Sequence, residues 1–209
     1  MSAVDALRLL VVSDAARFGE RTVLNRWQLL AHAAEPGTLA IDLREHELSA
    51  RALLSLGERL AEIARAARQL LVVNDRLDLA LLLGADGIHL REASVETSRA
   101  RALLPGAFVI RACHRQELVS KVECDIVLLS PILAERKGNP ALGIEGVSAA
   151  AAHLAARVGG PRLFALGGID AAGASDCLAA GAAGVAAISS VFEAQDPLPM
   201  LRALGVLRS

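Results

Sequence analysis

The stretch that decides the fold is Asn74-Asp75-Arg76-Leu77-Asp78-Leu79-Ala80-Leu81-Leu82-Leu83-Gly84-Ala85-Asp86-Gly87-Ile88-His89-Leu90. The apolar run Leu71-Val72-Val73 just before it is typical of a buried strand. Residues 77–83 have the pattern of a short helix, and Gly84 is a typical residue for ending one. Gly87-Ile88-His89 then begins another strand. A strand, a helix and a strand in so short a segment predict parallel strands joined by a helical crossover.

Polar residues follow the first strand of this unit. Asn74, Asp75 and Arg76 place an amide, a carboxylate and a guanidinium at its carboxyl end. In parallel α/β folds, ligands bind at the carboxyl ends of the strands. We therefore expect the chemistry of the protein near Asn74 and Asp75.

The same alternation of apolar strands and helices runs along the whole chain. It predicts one (β/α)8 TIM barrel spanning residues 1–209 as a single domain. The predicted strands are 7–13, 38–43, 69–73, 87–90, 108–112, 125–129, 162–166 and 184–188. The predicted helices are 23–34, 49–67, 77–83, 95–104, 116–122, 146–158, 171–180 and a broken helix over 190–204.

Composition excludes several classes of function. The 209 residues carry a formal net charge of −1 with scattered Lys and Arg, so no basic stripe suggests nucleic acid as a partner. Mean hydropathy is positive at +0.43. However, no uncharged run reaches the ~18 residues of a membrane span, so no membrane partner is expected.

Cysteine usage and the N-terminus bear on the compartment. Cys113, Cys124 and Cys177 are odd in number and lack metal-binding spacing, which is typical of reduced thiols. The N-terminal segment carries Asp5 and Arg8 and has no apolar signal-peptide core. We expect a cytoplasmic protein. A homo-oligomer is compatible with the sequence, which does not specify the number of subunits.

Two strand ends late in the chain suggest phosphate binding. Gly167-Gly168 follows the seventh predicted strand, and Ser189-Ser190 follows Ile188 at the end of the eighth. Barrels often bind phosphate at these two ends, because glycine lets backbone N–H groups approach the oxygens and a helix N-terminus adds positive charge. Gly167-Gly168 alone could be a tight turn. Together, the two ends predict a phosphate site.

Charged residues gather at other strand ends. Asp42 and Arg44 follow the second strand, and further cations follow later strands. If all of them lie on one rim, they suit an anionic ligand. The predicted cationic set is Arg44, Arg91, Arg111, Arg136 and Lys137.

His114 is the candidate acid–base residue, since a strand-end imidazole faces the barrel mouth and titrates near neutrality. A nucleophilic Cys113–His114 pair is disfavoured, because adjacent residues at a strand end point apart. The alternative for His114 is a purely structural hydrogen bond to the loop after strand five.

Several motifs in order resemble the thiamin phosphate synthase superfamily. They run from Leu9 to Val191 and comprise 43–45, 74–76, 84–90, 142–146, 165–169 and 181–190. The resemblance implies a (β/α)8 barrel. The synthase joins hydroxymethylpyrimidine diphosphate to a thiazole phosphate with Mg²⁺ and releases diphosphate. A sister branch, the thiazole tautomerase, isomerises a thiazole carboxylate phosphate by proton transfer.

The chain departs from the synthase pattern where the pyrimidine diphosphate and Mg²⁺ would bind. Asp42 and His46 replace a Gln and a Lys, and Ala112 replaces a Ser. Asp75 stands at the first Mg²⁺ carboxylate, but Ser94 replaces the second. The two diphosphate-binding Thr residues fall in Ala134-Glu135-Arg136, and only Lys137 is retained. Mg²⁺ is therefore an uncertain cofactor, with Asp75 as its one expected protein ligand.

The thiazole-phosphate half of the pattern is retained. Its residues are Gly167, Gly168, Ile188, Ser189 and Ser190, and His114 matches the acid–base position of the tautomerase. The resemblance thus favours a tautomerase-like isomerase. The alternatives are a divergent synthase and a non-catalytic phosphate-binding barrel. In each, the partner is a small phosphorylated heterocycle, and the expected substrate-binding residues are Asp42, Arg44, Asn74 and Lys137.

Overall fold

The computed structural model describes residues 4–136, 138–155 and 159–208. Its strands close into a parallel barrel in chain order, with the eighth strand pairing back to the first. The predicted (β/α)8 barrel is therefore confirmed. The strands are β1 Leu9–Val12, β2 Leu39–Leu43, β3 Leu70–Asn74, β4 Gly87–Leu90, β5 Phe108–Cys113, β6 Ile126–Leu129, β7 Arg162–Leu166 and β8 Gly184–Ala187.

Helices connect the strands and cover the outside of the barrel. The link between β5 and β6 is a 3₁₀ helix, Gln116–Lys121. The α-helices are α1 Ala15–Phe18, α2 Glu20–Ala33, α3 Ala50–Ala67, α4 Leu77–Leu83, α5 Thr97–Leu103, α6 Gly143–Ala155, α7 Ala171–Ala179, α8 Ser189–Phe192 and α9 Leu198–Ala203.

Helix α3 shows why these segments form where they do. The Ser49 side chain caps its N-terminus by accepting a hydrogen bond from the Ala52 amide at 3.3 Å. Leu53, Leu56 and Leu60 recur at helical spacing and are buried against the barrel. Burying each such leucine contributes ~1.5–3 kcal/mol. The helix is therefore held mainly by its apolar face.

The inside of the barrel has an apolar layer and, above it, a polar one. Inward side chains such as Ala40 and Val72 pack with Phe164 in the apolar layer. Because strand side chains alternate between faces, the next inward positions on β2 and β3 are Asp42 and Asn74. On β4, His89 takes the corresponding position, and all three polar side chains are buried. The polar layer lies towards the carboxyl ends of the strands.

Some predicted helix bounds were wrong. The helix predicted over 95–104 begins at Thr97, whose hydroxyl donates to the Glu123 carbonyl at 2.6 Å. The helix predicted from 146 begins at Gly143, whose amide donates to the Ile132 carbonyl at 2.9 Å. Of that predicted helix, 156–158 lie outside the described residues. The predicted tail helix is two helices, α8 and α9, with Pro197 at the N-cap of α9.

Among the described residues, no helix is both long enough and apolar enough to cross a membrane.

Candidate functional site

Two adjoining cavities open at the carboxyl ends of the strands. The central cavity has a volume of about 340 Å³ and is lined by residues from strand ends around the barrel, including Asn74, His89, Ala112 and His114. The glycine cavity has a similar volume, about 340 Å³, and is lined by Gly167, Gly168, Ile188, Ser189 and Ser190 with their neighbours. Both volumes lie within the range of small-molecule sites.

The backbone conformation and close packing at Gly167 and Gly168 strongly favour glycine. Their φ angles are +117° and +71°, which side chains rarely adopt. A Cβ on Gly168 would lie 2.7 Å from the Ala134 Cβ, and one on Gly167 would lie 3.0 Å from the Ile132 amide nitrogen. The loop after β7 therefore packs closely against the loop after β6, which leaves its other side to line the glycine cavity.

Four backbone amides at the glycine cavity have no acceptor among the described residues. No hydrogen bond between described residues takes its donor from the backbone N–H of Gly167, Gly168, Ser189 or Ser190. The Ser190 hydroxyl donates to the Ile169 carbonyl at 2.7 Å, which ties the loop after β7 to the one after β8. Polar N–H groups without partners, at a cavity wall, are suited to binding an anion.

Arg17 adds a cation to the glycine cavity that sequence reasoning missed. Its guanidinium donates to the Ser189 hydroxyl at 3.0 Å, and it pairs with Glu193. Helix α1, which carries Arg17, begins where the Ala15 amide donates to the Glu45 carboxylate at 2.8 Å. Asp14 at its N-cap was a signal for this helix, but Arg17 and Ser189 are 172 positions apart. Only the closed barrel brings them together.

The two cavities share a wall. Leu166, Ile188 and Arg136 line both of them. Arg136 is held by two backbone hydrogen bonds to Asn139, of 3.1 Å and 3.0 Å. These bonds fix the backbone at Arg136, from which the side chain lines both cavities. Lys137, predicted beside it as a substrate-binding cation, lies outside the described residues.

The floor of the central cavity is a buried polar cluster. His89 Nδ1 lies 2.6 Å from Asp42 Oδ2 and 3.1 Å from Asn74 Nδ2. A carboxylate only accepts hydrogen bonds, so Nδ1 carries the proton shared with Asp42. Asp42 Oδ1, Asn74 Oδ1 and His89 Nε2 are buried without a partner among the described residues. Leaving such atoms unpaired is costly, so the unpaired atoms of Asn74 and His89, which line the cavity, are candidates for pairing with a ligand or with water.

The sequence predicted Asp42 as a substrate-binding residue, but its side chain does not line the central cavity. Its side chain is fully buried at 0% exposure, and it reaches the cavity only through His89. The alternation of β2 turns Asp42 into the barrel, beneath the rim on which it had been placed. Arg44 and Asn74 line the central cavity, and their predicted role in substrate binding stays a prediction. His89, which was not assigned a role, is the cavity-facing member of the pair.

His114 lines the central cavity from the end of β5. Its Nδ1 lies 2.9 Å from the Ser130 carbonyl oxygen. A carbonyl only accepts, so Nδ1 donates there, and in the neutral imidazole the lone pair is then on Nε2. His114 therefore has both the predicted position and the alternative structural hydrogen bond. Cys113 is turned away and donates to the Arg115 carbonyl at 3.2 Å, so the two side chains form no dyad.

Asp75 was expected to hold Mg²⁺, and its surroundings do not fit that role. Its carboxylate accepts hydrogen bonds from Arg91 Nε and from the Ser94 hydroxyl. Burial raises the pKa of Asp75, but the hydrogen bonds from Ser94 and Arg91 outweigh it and hold the pKa below its usual value. The carboxylate is thus ionised, and both of its oxygens are already engaged.

The other described residues near Asp75 also do not form a metal site. The described residues contain no group of three or more His, Cys, Asp or Glu side chains arranged to hold a metal ion. Mg²⁺ favours one or two carboxylates together with phosphate oxygens. Here a guanidinium stands beside the one carboxylate, so the residues present do not fit a divalent cation at Asp75.

The predicted cationic rim is only partly correct. Arg44, Arg91 and Arg136 line the central cavity, together with one acidic residue, Glu92. Arg111 does not line it, because its guanidinium donates to backbone carbonyl groups of the loop after β4, including that of Val95 at 2.8 Å. Arg111 therefore positions this loop and does not face a ligand.

Comparison with known proteins agrees with this architecture. The model of the thiamine monophosphate synthase family matches residues 9–191. The thiamine-phosphate synthase of Roseiflexus castenholzii is 32% identical over 202 residues, which cover 93% of this chain and 85% of that protein. The thiamine-phosphate synthase of Methanoculleus marisnigri is 38% identical over 179 residues, 82% of each chain.

A solved structure shows the same fold. The thiamine phosphate pyrophosphorylase of Pyrococcus furiosus superposes with a TM-score of 0.80 at 23% identity, over 96% of each chain. At that identity the likeness concerns the barrel alone. The family is shown by the sequence match, which spans β1 to α8 and includes the residues of both cavities. The chain belongs to the thiamine monophosphate synthase family.

Proposed function

We propose that this protein is a transferase that couples a thiazole phosphate, bound in the glycine cavity, to an activated pyrimidine bound in the central cavity. The observation that carries the proposal is that the two cavities meet at Leu166, Ile188 and Arg136. Joining two substrates needs two sites with a common boundary, where the reacting atoms can be held in contact. An isomerase of one small substrate needs only one of them.

The glycine cavity supplies the site for the phosphate. The amides of Gly167, Gly168, Ser189 and Ser190 have no internal acceptor among the described residues. Next to Ser189, Arg17 adds a guanidinium, which is oriented by its ion pair with Glu193. Charge-assisted hydrogen bonds of this kind bind phosphate oxygens strongly and with defined geometry. The apolar side chains of Leu166 and Ile188 then contact the heterocyclic ring to which the phosphate is attached.

The central cavity supplies the site for the second ring and its leaving group. Asn74 and His89 present unpaired polar atoms at the floor, where the edge of a nitrogen heterocycle can pair with them. The arginines on the rim face the diphosphate. In the reaction, a C–N bond forms to the thiazole nitrogen while the C–O bond to diphosphate breaks. The arginines stabilise the charge that develops on the departing diphosphate.

The sequence favoured an isomerase over a synthase, and the named relatives reverse this preference. They are named synthases, so they support the coupling reaction and not the isomerase that the sequence favoured. One observation keeps the isomerase as a second candidate. His114 faces the central cavity with Nδ1 bound to Ser130, which leaves Nε2 to accept and return a proton.

The test is incubation of the purified protein with hydroxymethylpyrimidine diphosphate and thiazole phosphate, with and without Mg²⁺. Formation of thiamine phosphate with an equal amount of diphosphate is the expected result. A parallel incubation with thiazole carboxylate phosphate measures isomerisation. Isomerisation without coupling would replace the transferase by the second candidate.

An Arg136→Ala variant tests the shared wall. Because Arg136 lines both cavities, its loss should raise the KM for both substrates, by about tenfold each for one charge-assisted contact. Arg99, an exposed arginine on α5 that lines neither cavity, supplies the control Arg99→Ala, whose kinetics should match wild type. An effect of Arg136→Ala on only one substrate would contradict the shared boundary.

A further inference from the structure

In this chain, a serine occupies the position of the second metal-binding carboxylate of the synthase pattern, and an arginine donates to the first. Ser94 stands there, and its hydroxyl donates to Asp75 and accepts a hydrogen bond from the Arg91 amide at 3.0 Å. Arg91 Nε donates to the other Asp75 oxygen. One carboxylate, one hydroxyl and one guanidinium thus form a closed cluster, in which the guanidinium is the cation.

The cluster orients Arg91 without using all of its donors. Only Nε and the backbone amide of Arg91 donate to other described residues, so Nη1 and Nη2 have no partner among them. The Arg91 side chain is 65% exposed and lines the central cavity. A guanidinium held at Nε presents its two outer N–H edges in a fixed plane, which matches two oxygens of a phosphate group.

Two other arginines lie around the same cavity. Arg44 comes from the end of β2, where its amide donates to the Ser13 hydroxyl at 2.9 Å. Arg136 comes from the loop after β6, and its backbone pairs with Asn139. Against these three positive charges stand two carboxylates, that of Glu92, which lines the cavity, and that of Asp75, which pairs with Arg91. These five side chains therefore keep an excess of one positive charge, and the outer N–H groups of all three guanidinium groups are the donors offered to an anion.

We propose that Arg91, oriented by Asp75 and Ser94, forms with Arg44 and Arg136 a metal-independent binding site for a diphosphate group in the central cavity. The choice of diphosphate rests on the proposed function, in which diphosphate is the leaving group. A dianionic or trianionic group needs several cations around it, and fixed guanidinium groups supply them in place of Mg²⁺.

The test is calorimetric titration of the protein with inorganic diphosphate in EDTA. Saturable binding is expected in EDTA, with a Kd that changes less than about twofold when EDTA is replaced by Mg²⁺. Arg91→Ala should weaken this binding at least about tenfold, and Arg91→Lys should also weaken it, because lysine cannot bind two oxygens in one plane. The matched control Arg99→Ala should bind as wild type does.

A second variant tests the origin of the metal independence. Ser94→Asp places a second carboxylate beside Asp75, so Mg²⁺ should then strengthen diphosphate binding at least about tenfold more than it does in wild type. Far-ultraviolet circular dichroism and the melting temperature show whether each variant is folded. Arg91 lines the cavity and Ser94 lies in the loop after β4; neither belongs to the buried apolar core, so folded variants are expected.

Three results would overturn the proposal: diphosphate binding that requires Mg²⁺ in wild type, an unchanged Kd in Arg91→Ala, or no binding with or without Mg²⁺. Failure of the proposed function gives a different result. In that case diphosphate binds in EDTA and Arg91→Ala weakens it, but no thiamine phosphate forms from the two substrates. Conversely, coupling that strictly requires Mg²⁺ would leave the transferase in place and remove the arginine site.

Discussion

His89 Nδ1 lies 2.6 Å from Asp42 Oδ2, and both side chains are buried at the bottom of the central cavity. The two residues are 47 positions apart and belong to β2 and β4. The carboxylate fixes which ring nitrogen of His89 carries the proton, so Nε2 is presented as the other, unpaired nitrogen. Asp42 therefore positions His89, which is the member of the pair that lines the central cavity.

The first prediction concerns this pair. Asp42→Ala removes the acceptor of a buried hydrogen bond and leaves Nδ1 unpaired, so it should lower the free energy of unfolding by ~1–3 kcal/mol. Urea unfolding measures this. Asp78→Ala is the control, since Asp78 is 60% exposed in its pair with Arg76 and should cost below ~1 kcal/mol. Equal effects at the two positions would show that the buried pair has no special role.

A second prediction separates backbone strain from close packing at the glycine cavity. Gly168→Ala places a Cβ 2.7 Å from the Ala134 Cβ at a φ of +71°. Gly84→Ala has a similar φ of +60° but no atom within 4 Å of the new Cβ. The Gly84 variant should therefore lose only ~1 kcal/mol of stability and keep phosphate binding. Gly168→Ala should lose more stability and bind inorganic phosphate at least about tenfold more weakly.

Titration calorimetry with inorganic phosphate measures the affinity of each glycine variant, and thermal melting of the same samples measures its stability. Gly168→Asp should abolish the binding altogether, because it adds a negative charge where the phosphate has to lie. Phosphate binding that survives in Gly168→Asp would place the anion elsewhere.

The third prediction distinguishes the two candidate reactions through His114. If the protein isomerises a thiazole carboxylate phosphate, His114→Asn removes the proton-transfer group and should slow that reaction by at least ~100-fold. Phosphate binding should remain nearly intact, since His114 does not line the glycine cavity. His153→Asn, on the exposed side of α6, is the control. Normal isomerisation by a folded His114→Asn variant would remove His114 from the mechanism.

The fourth prediction is a dependence of stability on pH. The hydrogen bonds of Ser94 and Arg91 hold the folded-state pKa of Asp75 below 3.8, its usual value. A lowered pKa means that the ionised form favours folding, so its contribution is fully present above pH 3.8 and is lost as pH falls through the folded-state pKa. Asp75→Asn should therefore be less stable than wild type at pH 6, and this difference should shrink as pH falls below 3.8.

Urea unfolding of wild type and Asp75→Asn at pH 6, 5, 4 and 3 measures the effect. Its size should stay below ~1 kcal/mol, because the Arg91 partner is largely exposed to solvent. A difference that grows towards low pH would have the wrong sign and would mean that the pKa of Asp75 is raised in the folded protein.

Much of the architecture could be predicted from local sequence. The bounds predicted for α4 and β4 are those observed, because Leu77 to Leu83 ends at Gly84 in the left-handed conformation and Gly87 then begins a buried strand. The inward direction of Asp42 also follows from the two-residue period of β2. Helix α1 was missed because its four residues bury no side chain and so leave no periodic apolar pattern.

The residues of the candidate site could be selected from the sequence, but their interactions could not. Strand ends identified Asn74, Asp75, His114, Gly167 and Ser189 because a parallel barrel brings all its strand ends to one face. Whether a side chain meets a ligand or another side chain depends on contacts across the barrel. The sequence predicted that Asp75 binds Mg²⁺, but its carboxylate lies between Arg91 and Ser94, 16 and 19 positions away.

By itself, then, the sequence determined the order of strands and helices, the closed barrel and the face that carries the site. Each of these follows from local periodicity, helix ends and the chirality of parallel crossovers. Only the tertiary structure decided that Asp42 meets His89, that Arg17 meets Ser189 and that the two cavities share Arg136. Such contacts join residues far apart in the chain, and their geometry is set by closure of the barrel, which no local pattern records.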